Sequence, residues 1–291
     1  MNICAVIVTF NRKELLKESI EAIVNQTVKV KEILIIDNNS TDGTISLLNN
    51  LKNKYSNLNY ISLKKNIGGA GGFNIGINEA VRKNSDYIWI MDDDTIPNKD
   101  ALEKLIHNEI WNENWSFLCS KVLWTDKSIC KMNIPNYIND VYQKNNLINK
   151  VKTATFVSLL IKSDSVRKVG LPIKEFFIWG DDFEYTLRLS EIVGPGYCIE
   201  NSIVIHKMKE NKSVNIINDS KERIPRYYYE FRNKYFILKK RKKVIEYYKY
   251  FIKTNLKVTI IKNNNKMDKI KVLFKALNDA IKFDPKIEYI D

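Results

Sequence analysis

The chain has 291 residues, 44% of them apolar, enough for one large α/β domain with an appendage, and this excludes a chain dominated by disorder. Four cysteines without a Cys-x-x-Cys pair, together with two histidines, exclude a zinc ribbon and fit free thiols in a reducing compartment. The net charge of +13 is unevenly placed: residues 207–291 hold 23 Lys and Arg against 10 Asp and Glu, whereas residues 1–206 hold 24 of each, which separates a neutral body from a basic region turned toward something anionic.

Residues 1–9 open directly on an apolar run, with no basic stretch before it and no small-residue cleavage site. They read as a first strand, not a signal peptide. No segment reaches the ~18 continuous apolar residues of a membrane span. The expected location is therefore cytoplasmic, with peripheral attachment to the inner face of the membrane. After this strand comes a loop, Thr9-Phe-Asn-Arg12, and a helix over residues 14–24 with Leu15, Leu16, Ile20, Ile23 and Val24 at helical spacing. Residues 32–36 form a second strand ending at Asp37, and Asp42 or Thr41 caps the next helix. Residues 58–63 form a third strand, and a helix through residues 74–81 leads to a fourth over residues 87–91. Strands alternating with helices predict a mostly parallel, Rossmann-like sheet flanked by helices, with ligand at the carboxyl ends of the strands.

A helix is expected over residues 100–111, and residues 115–150 resist ordering. Residues 153–161 read as one strand, residues 163–169 as a helix stopped by Gly170, and residues 201–206 as the last strand of the body. From Ile224 the pattern becomes helical and basic. Tyr228, Phe231 and Tyr235 share one helical face, a run of five basic residues spans 239–243, and residues 244–256 and 267–283 read as two more helices.

Four features could carry chemistry. Asp92, Asp93 and Asp94 follow the fourth strand directly. Adjacent carboxylates repel, and Mg²⁺ or Mn²⁺, which prefer oxygen ligands, would compensate them; a solvated turn is the plain alternative. The stretch Asn66-Ile-Gly-Gly-Ala-Gly-Gly-Phe73 brings glycines together where backbone can approach a ligand and offer N–H groups to an anion; a flexible turn is the alternative. It does not match the dinucleotide fingerprint. In Trp179-Gly-Asp-Asp-Phe-Glu184 an acidic cluster opens a helix, either as ordinary N-terminal charge or as a base able to take a proton from a hydroxyl. His206 closes an apolar strand, where imidazole would be a third ligand for Mn²⁺ beside an Asp-x-Asp pair.

Together with Thr9-Phe-Asn-Arg12 and Asp37-Asn-Asn-Ser-Thr-Asp42, these motifs stand in the order found in family 2 glycosyltransferases, and residues 1–206 resemble that family, with its GT-A fold. The resemblance implies that Thr9, Asn11, Arg12, Asp37, Asn66, Gly68 and Gly69, with Asp92 and Asp93, line the nucleotide, Asp93 turned away and serving the structure. It implies that Asp92, Asp94 and His206 hold Mn²⁺ or Mg²⁺. Asp182 would be the base, with Asp181 and Glu184 around the acceptor and Trp179 and Gly180 contacting it. The glycine-rich block with Phe73 most resembles galactofuranosyltransferases; dTDP-rhamnose-dependent relatives share a similar block. The implied reaction is metal-dependent, inverting transfer from a UDP-sugar to a glycan or polyprenyl-diphosphate-linked acceptor in cell-surface polysaccharide synthesis. The polymerising galactofuranosyltransferases carry an extra N-terminal domain, so a single-linkage transferase is expected here. Residues 207–291 would then serve the acceptor or an anionic membrane surface, with packing on the body or homo-oligomer contact as alternatives. A nucleic-acid partner is not expected; a non-catalytic lipid- or nucleic-acid-binding protein is the rival of another class.

Overall fold

A computed structural model describes residues 1–138 and 147–290. The strands are β1 (Ile3–Thr9), β2 (Glu32–Asp37), β3 (Leu58–Ser62), β4 (Tyr87–Asp92), β5 (Thr95–Pro97), β6 (Phe117–Leu123), β7 (Asn136–Tyr137), β8 (Ile148–Thr153), β9 (Leu159–Lys162) and β10 (Gly196–His206). The helices are α1 (Lys13–Val24), α2 (Thr44–Lys54), α3 (Gly68–Arg82), α4 (Ala101–Ile106), α5 (Ser163–Val169), α6 (Asp181–Ile192), α7 (Arg226–Lys240), α8 (Val244–Ile260) and α9 (Lys266–Lys282).

All strands join one sheet in the order β3-β2-β1-β4-β9-β6-β10-β8-β7, with β5 pairing β10. The parallel arrangement holds across β3, β2, β1 and β4. Beyond β4 the sheet is mixed, because β9 runs antiparallel to both β4 and β6. The expectation of a mostly parallel sheet is corrected to that extent. Buried β1 explains why the sheet is covered on both faces: Cys4, Val6 and Val8 enter one apolar layer and Ile3, Ala5 and Ile7 the other. The first layer takes Phe73, Ile77, Ala80 and Val81 of α3 with Tyr185 and Leu189 of α6. The second takes Leu16, Ile20 and Ile23 of α1, Leu48 and Leu51 of α2, and Leu102 and Leu105 of α4.

Several boundaries differ from those the sequence suggests. The glycine run is not a loop before a helix but the first turns of α3. A side chain at Gly72 or Gly76 would meet Val8 or Val6 at 2.5 and 2.4 Å, so these glycines let α3 press onto β1. The α2 cap position is Gly43; Asp42 instead accepts from the Thr44 N–H and hydroxyl and from the Lys13 N–H. The helix expected over residues 100–111 is regular only over α4. The strand expected over residues 153–161 is two strands, β8 and β9, separated by a bend. Part of the unordered stretch, residues 139–146, lies outside the described residues.

The basic region is a three-helix unit. Tyr227, Phe231 and Tyr235 of α7 pack with Tyr247, Phe251 and Val258 of α8 and Leu273, Ala276 and Ala280 of α9. It is fastened to the body by a second cluster, in which Phe236 and Ile237 meet Ala70, Ile173 and Phe176.

Candidate active site and metal centre

The ends of β4 and β10 meet through β5, whose Thr95 pairs with His206. This register brings Asp92, Asp94 and His206 together, with their ligand atoms within 4.8 Å of one another. The His206 Nε2 lies 2.9 Å from an Asp94 oxygen, and its Nδ1 lies 2.8 Å from the Asn133 side-chain oxygen. Asn133 donates its amide to Thr155 at 2.9 Å, which turns its oxygen toward the ring. The Nδ1 therefore carries a hydrogen and Nε2 is the atom presented to the carboxylates.

The electrostatics of this cluster are those of an incomplete charge set. Burial and the neighbouring Asp94 raise the Asp92 carboxyl to about 7. Burial also pushes Asp94 upward, but the His206 hydrogen bond and Arg12 outweigh it and hold Asp94 below the usual carboxylate range. Burial works against a charged His206, yet its bond to Asp94 raises it to about 10. Two carboxylates and an imidazole packed this closely fit a hard divalent cation, which would take the place of the proton on Nε2.

Thr9 at the end of β1 and Arg12 just before α1 brace the cluster. The Arg12 guanidinium bonds Asp93 at 3.2 Å and Asp94 at 2.6 Å, and the Thr9 hydroxyl donates to Asp93 at 2.7 Å. Asp93 is buried by these contacts, as a structural residue should be. Asp37 is also buried and accepts from the Ser40 N–H and the Ser62 hydroxyl, both at 3.1 Å. Asn11 accepts from the Thr41 N–H at 2.7 Å, and Asn66 from the Gly68 N–H at 2.8 Å. The Gly68 N–H is thus engaged within the loop, whereas nothing lies within 4 Å of where a Gly69 side chain would start.

Across from this cluster lies the start of α6. Residues Phe177, Trp179 and Gly180 all have positive φ, at 65°, 62° and 90°. Such a backbone is held only by its surroundings. Asn233 of α7 donates to the carbonyls of Trp179, Phe176 and Ile178 at 2.8, 3.0 and 3.3 Å, and Arg232 donates to that of Glu175 at 2.6 Å. From the other side, the Ala70 N–H reaches the Phe177 carbonyl at 3.1 Å. Asp181 and Asp182 follow this loop. Burial first, then the charge of Asp182, raises Asp181 well above the carboxylate range, and the field of Asp92 adds to it. Burial raises Asp182 to about 6, against the bond it accepts from the Phe183 N–H.

The sequence model of glycosyl transferase family 2 matches residues 4–153. This chain belongs to that family. Among its relatives are galactofuranosyltransferase GlfT1 of Mycolicibacterium smegmatis, 26% identical over 64% of this chain and 65% of the relative. A poly(ribitol-phosphate) beta-glucosyltransferase of Bacillus spizizenii is 34% identical over 35% of this chain and 16% of the relative. The chain spans less than two thirds of the length of either. The crystal structure of GalNAc-T7 with UDP, GalNAc and Mn²⁺ superposes on 99% of this chain and 55% of that one, with a TM-score of 0.66 and 14% identity. Staphylococcus aureus TarS 1-349 in complex with UDP covers 98% of this chain and 73% of that one, with a TM-score of 0.57 and 14% identity. These likenesses show the fold.

In this family 2 chain one expected site residue has a different occupation. Both Glu184 oxygens are held by Arg188 at 2.9 and 3.0 Å, and Arg188 also binds the carbonyls of Val169 and Leu171. The pair is buried, so both Glu184 oxygens are taken up within the protein, and Arg188 ties α6 to the end of α5. Trp179 packs edge-on against Tyr227, with the Arg223 guanidinium over its ring. Sequence reasoning missed Asn133, Arg232 and Asn233. Asn133 stands in an irregular segment with no periodicity to mark it; the other two lie on α7 among aromatic residues that draw attention to the core.

Proposed function

We propose that this protein is a metal-dependent, inverting glycosyltransferase that transfers a hexose, galactofuranose from UDP-galactofuranose as the first candidate, to a polyprenyl-diphosphate-linked glycan acceptor of cell-surface polysaccharide. The observation that carries this reading is the gathering of Asp92, Asp94 and His206 at the strand ends opposite a raised Asp181–Asp182 pair. The likeness to GlfT1 supports the donor sugar. Asp92, Asp94 and His206 would hold Mn²⁺ or Mg²⁺, which supplies charge neutralisation to the departing diphosphate.

The protein's own residues account for the rest. Arg12 fixes Asp93 and Asp94 and adds positive charge where a diphosphate gathers negative charge. Asn11, Asn66 and Gly69 form the rim on which the nucleoside rests, with the buried Thr9 and Asp37 shaping it from beneath. Asp181, raised the further of the two, keeps the pair's proton near neutral pH and leaves Asp182 ionised. Asp182 accepts the proton of the acceptor hydroxyl as its oxygen attacks the anomeric carbon from the face opposite the diphosphate. The carbon–oxygen bond to the phosphate breaks, its electron pair leaves with the diphosphate, and the configuration inverts.

The test is a panel of UDP- and dTDP-sugars, each incubated with protein and Mn²⁺, read by thermal shift and by release of the free nucleoside diphosphate. Metal-dependent release from UDP-galactofuranose is expected. Release from dTDP-rhamnose alone moves the donor to rhamnose. No release and no metal-dependent nucleotide binding overturns the enzyme reading.

A further inference from the structure

The excess positive charge of the chain lies in the helical unit, but not all of it is free. Within the basic run 239–243, Lys240 pairs with Asp284 at 2.9 Å, Arg241 with Glu191 at 3.0 Å and Lys243 with Glu246 at 3.2 Å. Most of that run is thus neutralised within the protein. The uncompensated charge stands one helix further on.

Helix α8 buries Tyr247, Phe251 and Val258 against α7 and α9. Its opposite side carries Ile245, Ile252, Leu256 and Ile260, exposed by 73, 56, 54 and 77%. Their spacing of seven, four and four residues places them in one stripe along the helix. Lys249, Lys253 and Lys257 flank the stripe, and among the described residues none has an acidic partner. Glu246, the one acidic residue of α8, is already paired with Lys243. Ile261 extends the apolar surface past the helix end, beside Lys262. Soluble monomers rarely leave such an apolar stripe uncovered. No helix among the described residues is long and apolar enough to cross a membrane.

We propose that the outer face of α8 is an interfacial membrane anchor that lies in the headgroup region of an anionic bilayer, with the four aliphatic side chains entering the acyl boundary and the lysines contacting lipid phosphates. Charge complementarity selects this occupant over a second copy of the chain. A two-fold contact through this face would set the same lysine row against itself with no acid to answer it. The proposal does not rest on the catalytic reading: it concerns adsorption of the folded chain, with or without turnover. If the enzyme reading also holds, the anchor shares a helical unit with α7, whose Asn233 holds the loop before Asp181.

The experiment is co-sedimentation of the full chain with vesicles of phosphatidylcholine alone and of phosphatidylcholine mixed with phosphatidylglycerol. Binding to the mixed vesicles is expected, weakening as salt rises. Each lysine is worth roughly a fivefold gain in affinity near an anionic surface. Lys249→Gln with Lys253→Gln should therefore weaken binding about 25-fold, and Ile252→Asp with Leu256→Asp should abolish it. All four positions are exposed, so circular dichroism and the melting temperature should stay unchanged. All four native cysteines are buried, so an Ile252→Cys variant takes a polarity-sensitive fluorophore at one accessible place. A blue shift on adding mixed vesicles is expected. Equal binding to both vesicle types, binding that survives Ile252→Asp with Leu256→Asp, or a dimer in solution that the same variant dissociates would overturn the proposal, the last in favour of a protein–protein face.

Discussion

Asn233→Ala is the sharpest perturbation of the site that touches none of its acidic groups. Asn233 is fully buried, and its amide donates to three backbone carbonyls of the loop that precedes Asp181. Its oxygen accepts from Arg232 at 2.9 and 3.1 Å. An amide carries two hydrogens, so truncation removes the equivalent of two donated bonds and the forked charge-assisted interaction with Arg232, counted together as one. At about 1 kcal/mol net for each donated bond and somewhat more for the charged one, the loss is about 3 kcal/mol. Against it stand the positive-φ conformations of Phe177 and Trp179, each costing on the order of 1–3 kcal/mol for a residue with a Cβ. With the latch gone the loop can relax, and the start of α6 moves with it. A displacement on the order of 1 Å at a reacting group costs about 100-fold in rate. Asp92 ends β4, Asp94 stands in the turn before β5 and His206 ends β10, and all three stay in place. The expected result is a loss of at most about 3 kcal/mol in urea unfolding, reduced by the backbone strain the loop sheds, a kcat for donor hydrolysis reduced about 100-fold, and an unchanged affinity for UDP measured calorimetrically with Mn²⁺. A full kcat in a destabilised variant would refute the latch. So would a loss of UDP affinity equal to the loss of rate.

Four further outcomes follow from the geometry. Transfer should fall as pH drops through about 6, because Asp182 must be ionised to accept a proton and burial sets its value there; a rate profile of wild type that is flat from neutral pH to 5 would remove Asp182 as the base. Asp182→Asn should abolish transfer yet leave Mn²⁺-dependent UDP binding intact, as read by titration calorimetry. Glu184→Gln should cost about 3 kcal/mol in chemical denaturation by leaving the buried Arg188 without its counter-charge, while the acid limb of the rate profile keeps its position. Gly68→Ala should disturb the same loop from the opposite side, since its Cβ would lie 2.0 Å from the Phe177 carbonyl at a backbone φ of 79°; a melting temperature and activity equal to wild type would show that the loop yields freely.

The strands of the body were legible because each is an unbroken apolar run, and burial on both faces leaves no other use for such a run. The strand-end acids were legible for the complementary reason, since polar residues that interrupt such a run stand at its carboxyl end. Other readings failed where tertiary contact overrode local pattern. Residues 153–161 read as one strand, but two strands belonging to different places in the sheet meet there. The glycines of α3 looked like a ligand loop because their helix cost was visible and the β-strand they press against was not. Glu184 looked like part of an acidic cluster because Arg188, four residues on, carries no sign in the sequence of being its buried partner. Asn133 and Asn233 were invisible for a simpler reason: an amide that orients another group is defined by what lies across from it.

The strand that ends in His206 has one more property of consequence. Between Ile199 and Ile203 its pairing with β6 advances by one residue while the strand itself advances by four, so Glu200, Asn201 and Ser202 are extra. Side chains alternate faces along a strand, and an odd insertion reverses the alternation. The number three therefore acts as a phase setting. It allows the first half of β10 to keep Cys198 in the core beside β6 and β8 while the second half turns His206, not its neighbour Ile205, toward Asp94. Adding or removing one residue there would force one half of the strand to turn over. The candidate metal site would lose its imidazole through a change in chain length at residues outside it.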